Sequence, residues 1–534
     1  MLKAEFKGYN SKKFSKDLLA GITVAAVALP LSLAFGVASG ASAAAGLITA
    51  IFAGLIVGFL SGGSFQISGP SGTMTAILLS LMMKYQIQGV FIACFLSGII
   101  LLICGLFKLG GLVSFLPLPV ITGFTSGIAI IIALGQINNL TGLTSEGTST
   151  INKITSYFRL EQSFNLTAFI IGVSVIIFMI IYPKKLSQYF PASLLAIIFA
   201  TTLNIIFKFN VAEVGVIPKT ILLPERFNLF NINLVDVQAL IAPAISIAAL
   251  AMIESLLCGA SAGRMKKVKL NNNQELIAQG VGNIIIPFFG GVPATAALAR
   301  TSVAVKAGGQ TRLTSIFHAI FLLISMLLLG PFITHIPLSA LAGVLIITAW
   351  RMNEWKVIRN IFKKKIKVSI FQFLLTMIST VIFDLTIAIL IGVMFSIVMF
   401  VVKVSDMQVN VSEVYPNKLD DEKFLEKHGK TSVAYITGPL YFGTANLLVN
   451  KLSDISENDI LIFSMRGVPF ADVSGVQALQ EFVFQLSQNN TMVYFTCVQP
   501  PVMKMFERCG FADEMGSNNF FWSTDKVLTH LAEN

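Results

Sequence analysis

Two breaks rich in glycine and proline interrupt long apolar stretches, and they limit the possible fold more than any other feature. They are residues 68–73, with the sequence SGPSGT, and residues 290–295, with the sequence GGVPAT. A membrane tolerates irregular backbone at bilayer depth only where protein or an aqueous cavity satisfies its polar groups. Because one break lies in each half of the chain, the pattern predicts an inverted-repeat transporter with a binding site between two half-helices. Residues 64–67 are compatible with a strand, residues 73–83 are apolar enough for a half-crossing helix, and Pro293 suits the first turn of the second half-helix.

The composition predicts a membrane domain followed by a soluble domain. Hydrophobic residues make up 55% of the 534 residues, and charged residues only 12%. Apolar runs such as residues 18–38 approach the roughly 20 residues needed to cross about 30 Å of hydrocarbon. Residues 1–405 are therefore interpreted as the membrane domain, with repeats at about 15–202 and 235–403, and residues 406–534 as a soluble domain.

The formal charge of +11 reflects membrane topology more than nucleic-acid binding. Basic residues lie in short loops between apolar runs and form no single patch with interleaved aromatic residues, which excludes nucleic acid as a partner. Because cytoplasmic loops are richer in lysine and arginine, their alternation fits about fourteen crossings with both termini in the cytoplasm. The loops assigned to that side contain Lys12, Lys13, Lys16, Lys108, Lys184, Lys185, Arg264, Lys266, Lys267, Lys269, Lys363, Lys364 and Lys365.

The residues at the two breaks favour an anion as the ligand. Helix amino ends carry free N–H groups and positive dipole ends, so two half-helices that meet there would form an anion pocket. Small residues let ligand oxygens approach the backbone, and hydroxyl groups add donors. The alternative is that the small residues only permit close helix packing. The candidate residues are Ser71, Gly72, Thr73, Thr295, Ala296 and Ala297.

Two charged residues near the breaks extend this hypothesis. Arg300 follows the second break, where a guanidinium would make the pocket more positive; the alternative is a cytoplasmic anchor. Glu254 lies in the otherwise apolar residues 241–258, where a carboxylate is costly unless it is protonated, paired or bound to a cation. We expect Glu254 to couple a sodium ion or a proton to anion entry; the alternative is a salt bridge to Arg300.

The sequence indicates no enzymatic site. The soluble domain shows no nucleophile with a matched base, no phosphate-binding glycine loop and no metal-ligand spacing. The five cysteines show neither metal-ligand nor paired-framework spacing, so no disulfide is expected. The coupling sodium ion or proton is therefore the only expected cofactor.

The soluble domain alternates between strand and helix patterns, which fits an open α/β sheet. Strands are predicted at residues 431–436, 459–465 and 492–497, and helices at 445–452, 476–486 and 501–508. Asp472 and Ser474 are interpreted as caps of the middle helix, because their side-chain oxygens can accept its free N–H groups.

Five motifs of the membrane domain resemble those of one transporter family. They are QISGPSG at residues 66–72, IESLL at 253–257, QGVGN at 279–283, GGVPATA at 290–296 and GGQT at 308–311. With the soluble domain, these motifs cover nearly the whole chain. The chain therefore resembles the bacterial SulP-type anion transporters, which form the sulfate permease family.

This resemblance implies an α-helical polytopic membrane protein of about fourteen transmembrane segments in two inverted repeats of seven, arranged as core and gate domains. It also implies an elevator-like exchange of access and a homodimer in the cell membrane, in contact with membrane lipid. The anion is placed between the third and tenth segments, with an aromatic residue of the first helix lining the cavity. The positions implied in this chain are Phe35, Ser71, Gly72, Thr73, Ala296 and Ala297.

One departure bears on the substrate. Many sulfate-type relatives have glutamine directly after the proline of the first helix, whereas Pro30 is followed here by Leu31. Residues 28–36 are similar to the bicarbonate-carrying branch, in which sodium is the coupling ion and an acid at the Glu254 position helps to bind it. Glu254 is also similar to the branch that moves dicarboxylates with protons.

The prediction from these features is cation-coupled transport of sulfate or bicarbonate. A proton-coupled dicarboxylate transporter and an uncoupled anion channel or exchanger are the alternatives. In the soluble domain, residues 472–475 resemble the signature of the STAS domain. Because the matching serine is phosphorylated in anti-sigma antagonists, regulation through Ser474 is the alternative to its role in capping.

Overall fold

The computed structural model describes residues 5–111, 117–143, 156, 164–183, 186, 190–229, 234–383, 385–405, 407–414, 430–452 and 459–533. The chain divides into two compact units, Met1–Val393 and Met394–Asn534. In the ranges just given, the named elements of the first unit are helices and one short strand pair, and the second unit contains a five-stranded sheet.

The first half of the membrane unit is a series of helices with capped amino ends. Asn10, Ser42 and Asn165 each accept a hydrogen bond from a backbone N–H in the first turn of a helix. The helices are α1 (Ser11–Ala38), α2 (Ala43–Phe52, continued by a π-helical turn at Ala53–Val57 and by Gly58–Leu60), α3 (Gly72–Leu106), α4 (Leu118–Gly135), α5 (Ile137–Thr141), α6 (Leu166–Ile181) and α7 (Ala192–Phe207).

The second half repeats the pattern of long helices around a break. Asn271 caps the helix that leads into this break, and a short helix follows it. The helices are α8 (Leu234–Lys266), α9 (Asn272–Ile285, followed by a 3-10 turn at Ile286–Phe289), α10 (Leu298–Lys306), α11 (Leu313–Thr334), α12 (Leu338–Met352), α13 (Trp355–Lys363), α14 (Lys367–Ile382) and α15 (Leu385–Val404).

Several of these helices have the length and apolar composition of membrane spans. In the described ranges, six stretches are long enough to cross, and five further apolar helices have 10–17 residues. A chain with this many apolar helices is a multi-pass membrane protein. The six long stretches are Ser11–Ala38, Ala43–Leu60, Ile77–Leu106, Leu118–Thr141, Val237–Lys266 and Leu313–Thr334.

The helix α3 includes residues 73–83, for which the sequence predicts a half-crossing helix. It begins at Gly72 and bends at Gln86, whose backbone angles of φ 56 and ψ −167 are not helical. At the two breaks, the backbone forms the two-residue strands β1 (Ser68–Gly69) and β2 (Thr295–Ala296).

Close packing of α3 on α9 joins the two halves of the unit. A Cβ added at Gly98 would lie 2.6 Å from the backbone nitrogen of Ile284, and one at Gly280 would lie 2.6 Å from that of Leu102. Only glycine permits this approach, as at many helix contacts in membranes. Because α3 follows the first break and α9 leads into the second, this contact fixes the breaks relative to each other.

The second unit confirms the predicted α/β sheet. Its strand order is β3-β4-β5-β6-β7, with β3 antiparallel to β4 and the other neighbours parallel. Phe463, Phe495 and Phe506 are fully buried in its core. The elements are β3 (Gln408–Glu413), β4 (Thr431–Thr437), α16 (Ala445–Leu452), β5 (Ile460–Gly467), α17 (Val473–Gln488), β6 (Met492–Thr496), α18 (Pro500–Arg508), α19 (Phe511–Met515), β7 (Phe520–Phe521) and α20 (Thr524–Glu533).

Candidate anion-binding site

The two breaks meet in a short antiparallel ladder. Ser68 pairs with Ala296, and Gly69 pairs with Thr295. The helices α3 and α10 begin directly after this ladder, at Gly72 and Leu298. Their amino ends therefore face one small region, where the positive ends of both helix dipoles favour negative charge.

Two local predictions at the breaks are wrong. The sequence places Pro293 in the first turn of the second half-helix, but α10 begins only at Leu298. It also places β structure at residues 64–67, whereas the strand is Ser68–Gly69. The position of the strand pair depends on contact between segments distant in sequence, which local preference does not specify.

Some of the backbone donors at the second break are already engaged. The N–H of Ala296 donates to Ser255 Oγ at 3.1 Å, and the N–H of Ala297 donates to the carbonyl of Ile67 at 3.1 Å. The first amides of a helix have no intrahelical acceptor. In α10 these amides belong to Leu298 and the two residues after it, so they are the donors best placed for an anion.

Glu254 of α8 reaches the start of α3. Its carboxylate oxygens lie 2.7 and 2.9 Å from Ser71 Oγ, and Thr73 Oγ1 donates to Oε2 at 2.5 Å. Ser71 also caps α3 through its side chain. The structure therefore brings together three residues that the sequence singled out separately, and the two hydroxyls solvate one intramembrane carboxylate.

Arg300 of α10 approaches the first break from the other side. Its side chain is 1% exposed, and Nη2 donates to the carbonyl of Pro70 at 3.0 Å and lies 3.5 Å from Ser32 Oγ of α1. Within the described residues, Nε and Nη1 have no hydrogen-bond partner. A buried cation with unused donors favours a nearby anion.

These contacts overturn both alternatives for the charged residues. Arg300 is fully buried, so it is not a surface anchor. Among the residues described, Glu254 and Arg300 form no ion pair, because the carboxylate bonds the two hydroxyls of α3 and the guanidinium bonds the carbonyl of Pro70. The two opposite charges are held separately at one break.

An apolar wall closes the start of α3. A Cβ added at Gly72 would lie 2.8 Å from Cε1 of Phe35 in α1 and 2.7 Å from Cδ1 of Ile132 in α4. Phe35 itself is buried. The structure therefore places Phe35 beside Gly72, together with Ile132, which the sequence does not single out.

Thr295 has a different environment from the other two hydroxyl residues. Its Oγ1 lies 2.9 Å from Ser255 Oγ and is fully buried in β2. Gln66 donates to the carbonyl of Ser255 at 2.8 Å. Thr295 and Ser255 thus fix the ladder against α8, and Ser71 and Thr73 carry the hydroxyls at the helix start.

A row of polar residues on α9 holds both breaks and was missed as a functional feature. Glu275, Gln279 and Asn283 recur every fourth residue, so they share one face of the helix, and all are fully buried. Gln279 Nε2 donates to Ser68 Oγ at 2.9 Å and to Glu275 Oε1 at 2.9 Å. Asn283 accepts from the N–H of Ala294 at 2.7 Å and donates to its carbonyl at 3.0 Å.

The four-residue spacing of these side chains is the sequence feature that could have indicated this row. Buried polar side chains at i, i+4 and i+8 in a packed helix need partners, and Gln279 and Asn283 find theirs in the two breaks. Glu275 completes the row, because its Oε2 accepts from Ser61 Oγ at 2.6 Å and from the N–H of Gly62 at 3.1 Å.

The motif at residues 308–311 serves the amino end of α1. Asp17 is fully buried and accepts hydrogen bonds from the N–H and the hydroxyl of Thr311, at 3.0 and 2.6 Å, and from the hydroxyl of Thr314 at 2.9 Å. Tyr9 donates to the same carboxylate at 2.9 Å. Burial and this carboxylate raise the pKa of Tyr9 to about 12, so its phenol remains a donor at neutral pH.

Comparison with known proteins identifies the family. The model of the sulfate permease family matches residues 14–379, and the model of the STAS domain matches residues 423–527. The chain belongs to the sulfate permease family. This family consists of transporters, so the protein is a transporter and not an enzyme.

Relatives of this sulfate permease family member extend over its full length. It is 33% identical to the "Putative sulfate transporter YvdB" of Bacillus subtilis (strain 168), over 98% of both chains. It is 28% identical to the "Bicarbonate transporter BicA" of Picosynechococcus sp., over 96% of this chain and 94% of that protein. The family resemblance found in the sequence is confirmed.

Solved structures of transporters share the fold. The overall structure of SLC26A9 superposes with a TM-score of 0.84 at 18% identity, covering 99% of this chain and 92% of that chain. The transmembrane domain of a cyanobacterial bicarbonate transporter BicA gives a TM-score of 0.64 at 26% identity, covering 73% of this chain and 98% of that chain. The predicted helical transporter fold with a carboxy-terminal STAS domain is confirmed.

The signature residues of the STAS domain lie at the start of α17. Asp472 caps α17, because its Oδ1 accepts from the N–H of Gly475 at 2.8 Å, and its Oδ2 accepts from the N–H of Phe442 at 3.1 Å. Ser474 is exposed in the first turn of the same helix. The capping role therefore belongs to Asp472.

Proposed function

We propose that this protein is a secondary active transporter of an inorganic oxyanion, either sulfate or bicarbonate, driven by symport with a sodium ion or a proton. One observation carries the proposal. The amino ends of α3 and α10 face one region at the β1–β2 ladder, and Glu254 and Arg300 approach that region as separate, opposite charges. The anion lies against Ser71, Gly72, Thr73, Thr295, Ala296 and Ala297, with Phe35 as the wall.

The separate charges explain how a cation could drive anion entry. The helix dipoles and Arg300 attract an anion, whereas the Glu254 carboxylate repels it in a medium of low dielectric constant. A sodium ion or a proton on Glu254 removes that repulsion, so the anion and the cation favour each other's binding. The Ser71 and Thr73 hydroxyls keep the carboxylate in place for this exchange.

The names of the relatives support the substrate class. One relative is named a putative sulfate transporter and another a bicarbonate transporter, and both anions present several oxygens to N–H and hydroxyl donors. A dicarboxylate presents the same kind of oxygens on a longer molecule. The carboxylate in the site favours coupled turnover over an uncoupled channel, because a channel has no use for an ionisable group beside its anion.

The remaining parts of the proposal follow from the repeat pattern. Residues 1–405 form the transport domain, which exchanges access by an elevator-like movement, and residues 406–534 form the STAS domain. Both termini are cytoplasmic, and the protein is a homodimer in the cell membrane. Phosphorylation of Ser474 is compatible with its exposure, and a Ser474→Ala variant with normal transport and regulation would remove it from the proposal.

The experiment is uptake by the purified full-length protein in liposomes. Labelled sulfate, bicarbonate and succinate are each tested under an inward sodium gradient and, separately, under an inward proton gradient. We expect saturable uptake of sulfate or bicarbonate that depends on one of the two gradients. Succinate uptake driven by protons would favour the dicarboxylate alternative, and non-saturating flux without a gradient would favour a channel.

The variant Glu254→Gln tests the coupling role directly. Its amide fits beside the Ser71 and Thr73 hydroxyls, which can accept as well as donate, but it can neither release a proton nor balance sodium. We expect accumulation to be abolished while the protein remains folded. Glu213→Gln is the matched control, because this carboxylate bonds Asn204 and His335 away from the breaks. Wild-type accumulation by Glu254→Gln would refute the coupling role.

A further inference from the structure

A strongly basic segment surrounds the short helix α13. Residues 350–367 contain a single acid, Glu354, and no other stretch of the membrane unit combines so many cations with tryptophan. The positive-inside tendency accounts for basic loops in general, but not for the arrangement of this one. The basic residues are Arg351, Lys356, Arg359, Lys363, Lys364, Lys365 and Lys367.

The helix α13 has two distinct faces. At about 100° per residue, its apolar side chains fall on one side and its polar side chains on the other. Part of the apolar side packs on protein, since Ile361 is buried and the ring centroids of Phe362 and of Phe373 in α14 lie 5.8 Å apart. The polar side consists of Lys356, Arg359, Asn360 and Lys363.

The apolar side is exposed at Trp355, which lies beside a second tryptophan, whereas Val357 and Ile358 are half-buried. The rings of Trp350 and Trp355 lie 4.5 Å apart, with 63% and 42% of these residues exposed. Trp355 Nε1 donates to the carbonyl of Trp350 at 3.1 Å. Tryptophan is enriched at membrane–water interfaces, where an apolar ring and a polar N–H are both accommodated. This pair therefore indicates the level of the interface.

The carboxyl end of the neighbouring helix α6 also has the features expected at a membrane interface. Arg351 Nη2 donates to the carbonyl of Met179 in the last turns of α6 at 2.9 Å. The next residues, Ile180 and Ile181, are 66% and 73% exposed, as expected for side chains that face acyl chains. The cations of α13 thus lie where lipid phosphates lie.

The cations themselves are available. Lys356, Arg359 and the three consecutive lysines at residues 363–365 are exposed, and none has an acidic partner among the residues that the structure describes. The backbone turns at Lys365, which has a φ of 51, so the lysines follow the carboxyl end of α13 before α14 begins at Lys367. Several cations at one depth would repel each other unless anions lie close to them.

We propose that α13 and the lysines after it form a binding site for anionic phospholipid headgroups. The exposed rings of Trp355 and Phe362 insert beside the acyl chains, and the basic side contacts the phosphates. A lipid fits better than free phosphate, because the cations are spread along a surface next to exposed apolar rings and do not converge on one pocket. The site is independent of the transport site at the breaks.

Tryptophan quenching by brominated lipids tests the proposal on the full-length protein. The variant Trp522→Phe leaves Trp350 and Trp355 as the only tryptophans of the chain. This protein is reconstituted in phosphatidylcholine vesicles that contain either brominated phosphatidylglycerol or brominated phosphatidylcholine at equal mole fraction. The ratio of the two quenching efficiencies measures how strongly the site prefers the anionic lipid.

We expect brominated phosphatidylglycerol to quench about twofold more than brominated phosphatidylcholine, because anionic lipid accumulates at a polybasic segment. Neutralising Lys363, Lys364 and Lys365 to glutamine should bring the ratio close to one. The matched control neutralises Lys504, Arg508 and Lys526, which are exposed on the STAS domain, and should leave the ratio unchanged. Inorganic phosphate added in solution should not reduce the preference.

A salt series on the protein with intact lysines keeps the test valid if the triple variant fails to insert. The preference should fall as sodium chloride rises from about 50 mM to about 500 mM, because salt screens exposed charges. Equal quenching by the two lipids at low salt would overturn the proposal. A preference that survives in a folded triple variant, or that free phosphate removes, would overturn it as well.

Discussion

The variant Gly69→Ala tests whether the buried Arg300 guanidinium sets the affinity for the anion. An alanine Cβ at this position would lie 2.1 Å from Nη1 and 3.3 Å from Cζ of Arg300, and 3.4 Å from the Cα of Ala50. The contact with Ala50 is of ordinary length, so the guanidinium is the group that must move, by more than about 1 Å, to restore normal contact distances.

That movement has a definite cost. The bond from Arg300 Nη2 to the Pro70 carbonyl is 3.0 Å long, and a shift of this size takes it beyond hydrogen-bonding distance. The same shift also displaces Nε and Nη1, the donors that have no partner among the described residues and that we expect to face the anion. Loss of one hydrogen bond between the guanidinium and the anion costs about 1.5–3 kcal/mol of binding, which corresponds to about a 10- to 150-fold change in the equilibrium constant. We expect the KM for the anion to rise within that range.

The assay is the initial rate of anion uptake in liposomes as a function of anion concentration. Gly135→Ala is the matched control, because a Cβ at that position meets nothing within 4 Å. Arg300→Lys provides a second background, since lysine lacks the planar fork that occupies the space at Gly69. On that background, Gly69→Ala should add less than about a threefold change in KM.

Two results would refute the reasoning. One is a KM for Gly69→Ala within about twofold of the wild-type value in a folded protein. The other is full additivity between Gly69→Ala and Arg300→Lys, which would mean that the two positions do not act through the same contact.

Two further predictions concern the polar clusters. Asn283→Leu should destabilise the protein by about 2–6 kcal/mol, because it leaves the buried N–H and carbonyl of Ala294 unpaired, whereas Asn283→Asp keeps the acceptor and should cost less. Equal melting temperatures for the two variants would contradict this. Asp17→Ala should expose residues 308–312 to proteolysis, because Thr311 and Thr314 lose their common acceptor; unchanged cleavage would exclude that role.

The positions of the breaks could be predicted from sequence, but their pairing could not. Glycine and proline within apolar runs indicate where helices are interrupted. The ladder of Gly69 with Thr295 joins segments from opposite halves, and no local pattern encodes such a contact. Local chemistry therefore predicts a helix start at Pro293, although the chain is not helical from Gly291 to Ala297.

The sequence indicates which residues lie at the candidate site more reliably than it indicates their hydrogen-bond partners. Glu254 was singled out because a carboxylate in an apolar helix needs a use, but sequence offered Arg300 as its ionic partner. The actual partners, Ser71 and Thr73, depend on the angle at which α8 crosses the start of α3. Such an angle follows from the packing of whole helices, which single-residue chemistry does not specify.

In the STAS domain, prediction succeeded where strands are buried and failed at the edges. The three predicted strands correspond to β4, β5 and β6, and the helix predicted at residues 445–452 has the observed bounds. The sequence does not single out β3, because it is largely exposed and only Val409 and Val411 of its six residues are apolar, and it does not single out β7, which has only two residues.

The hydrogen bonds of Glu275, Gln279 and Asn283 restrict how far the two breaks can separate during transport. Separating β1 from β2 would leave several buried amides and side chains without hydrogen-bond partners, because α9 bonds residues at both breaks. Translating the ladder, its two helix tips and α9 together breaks none of those bonds. These hydrogen bonds therefore support the elevator-like movement that we propose, in which both helix starts and α9 move as one rigid group.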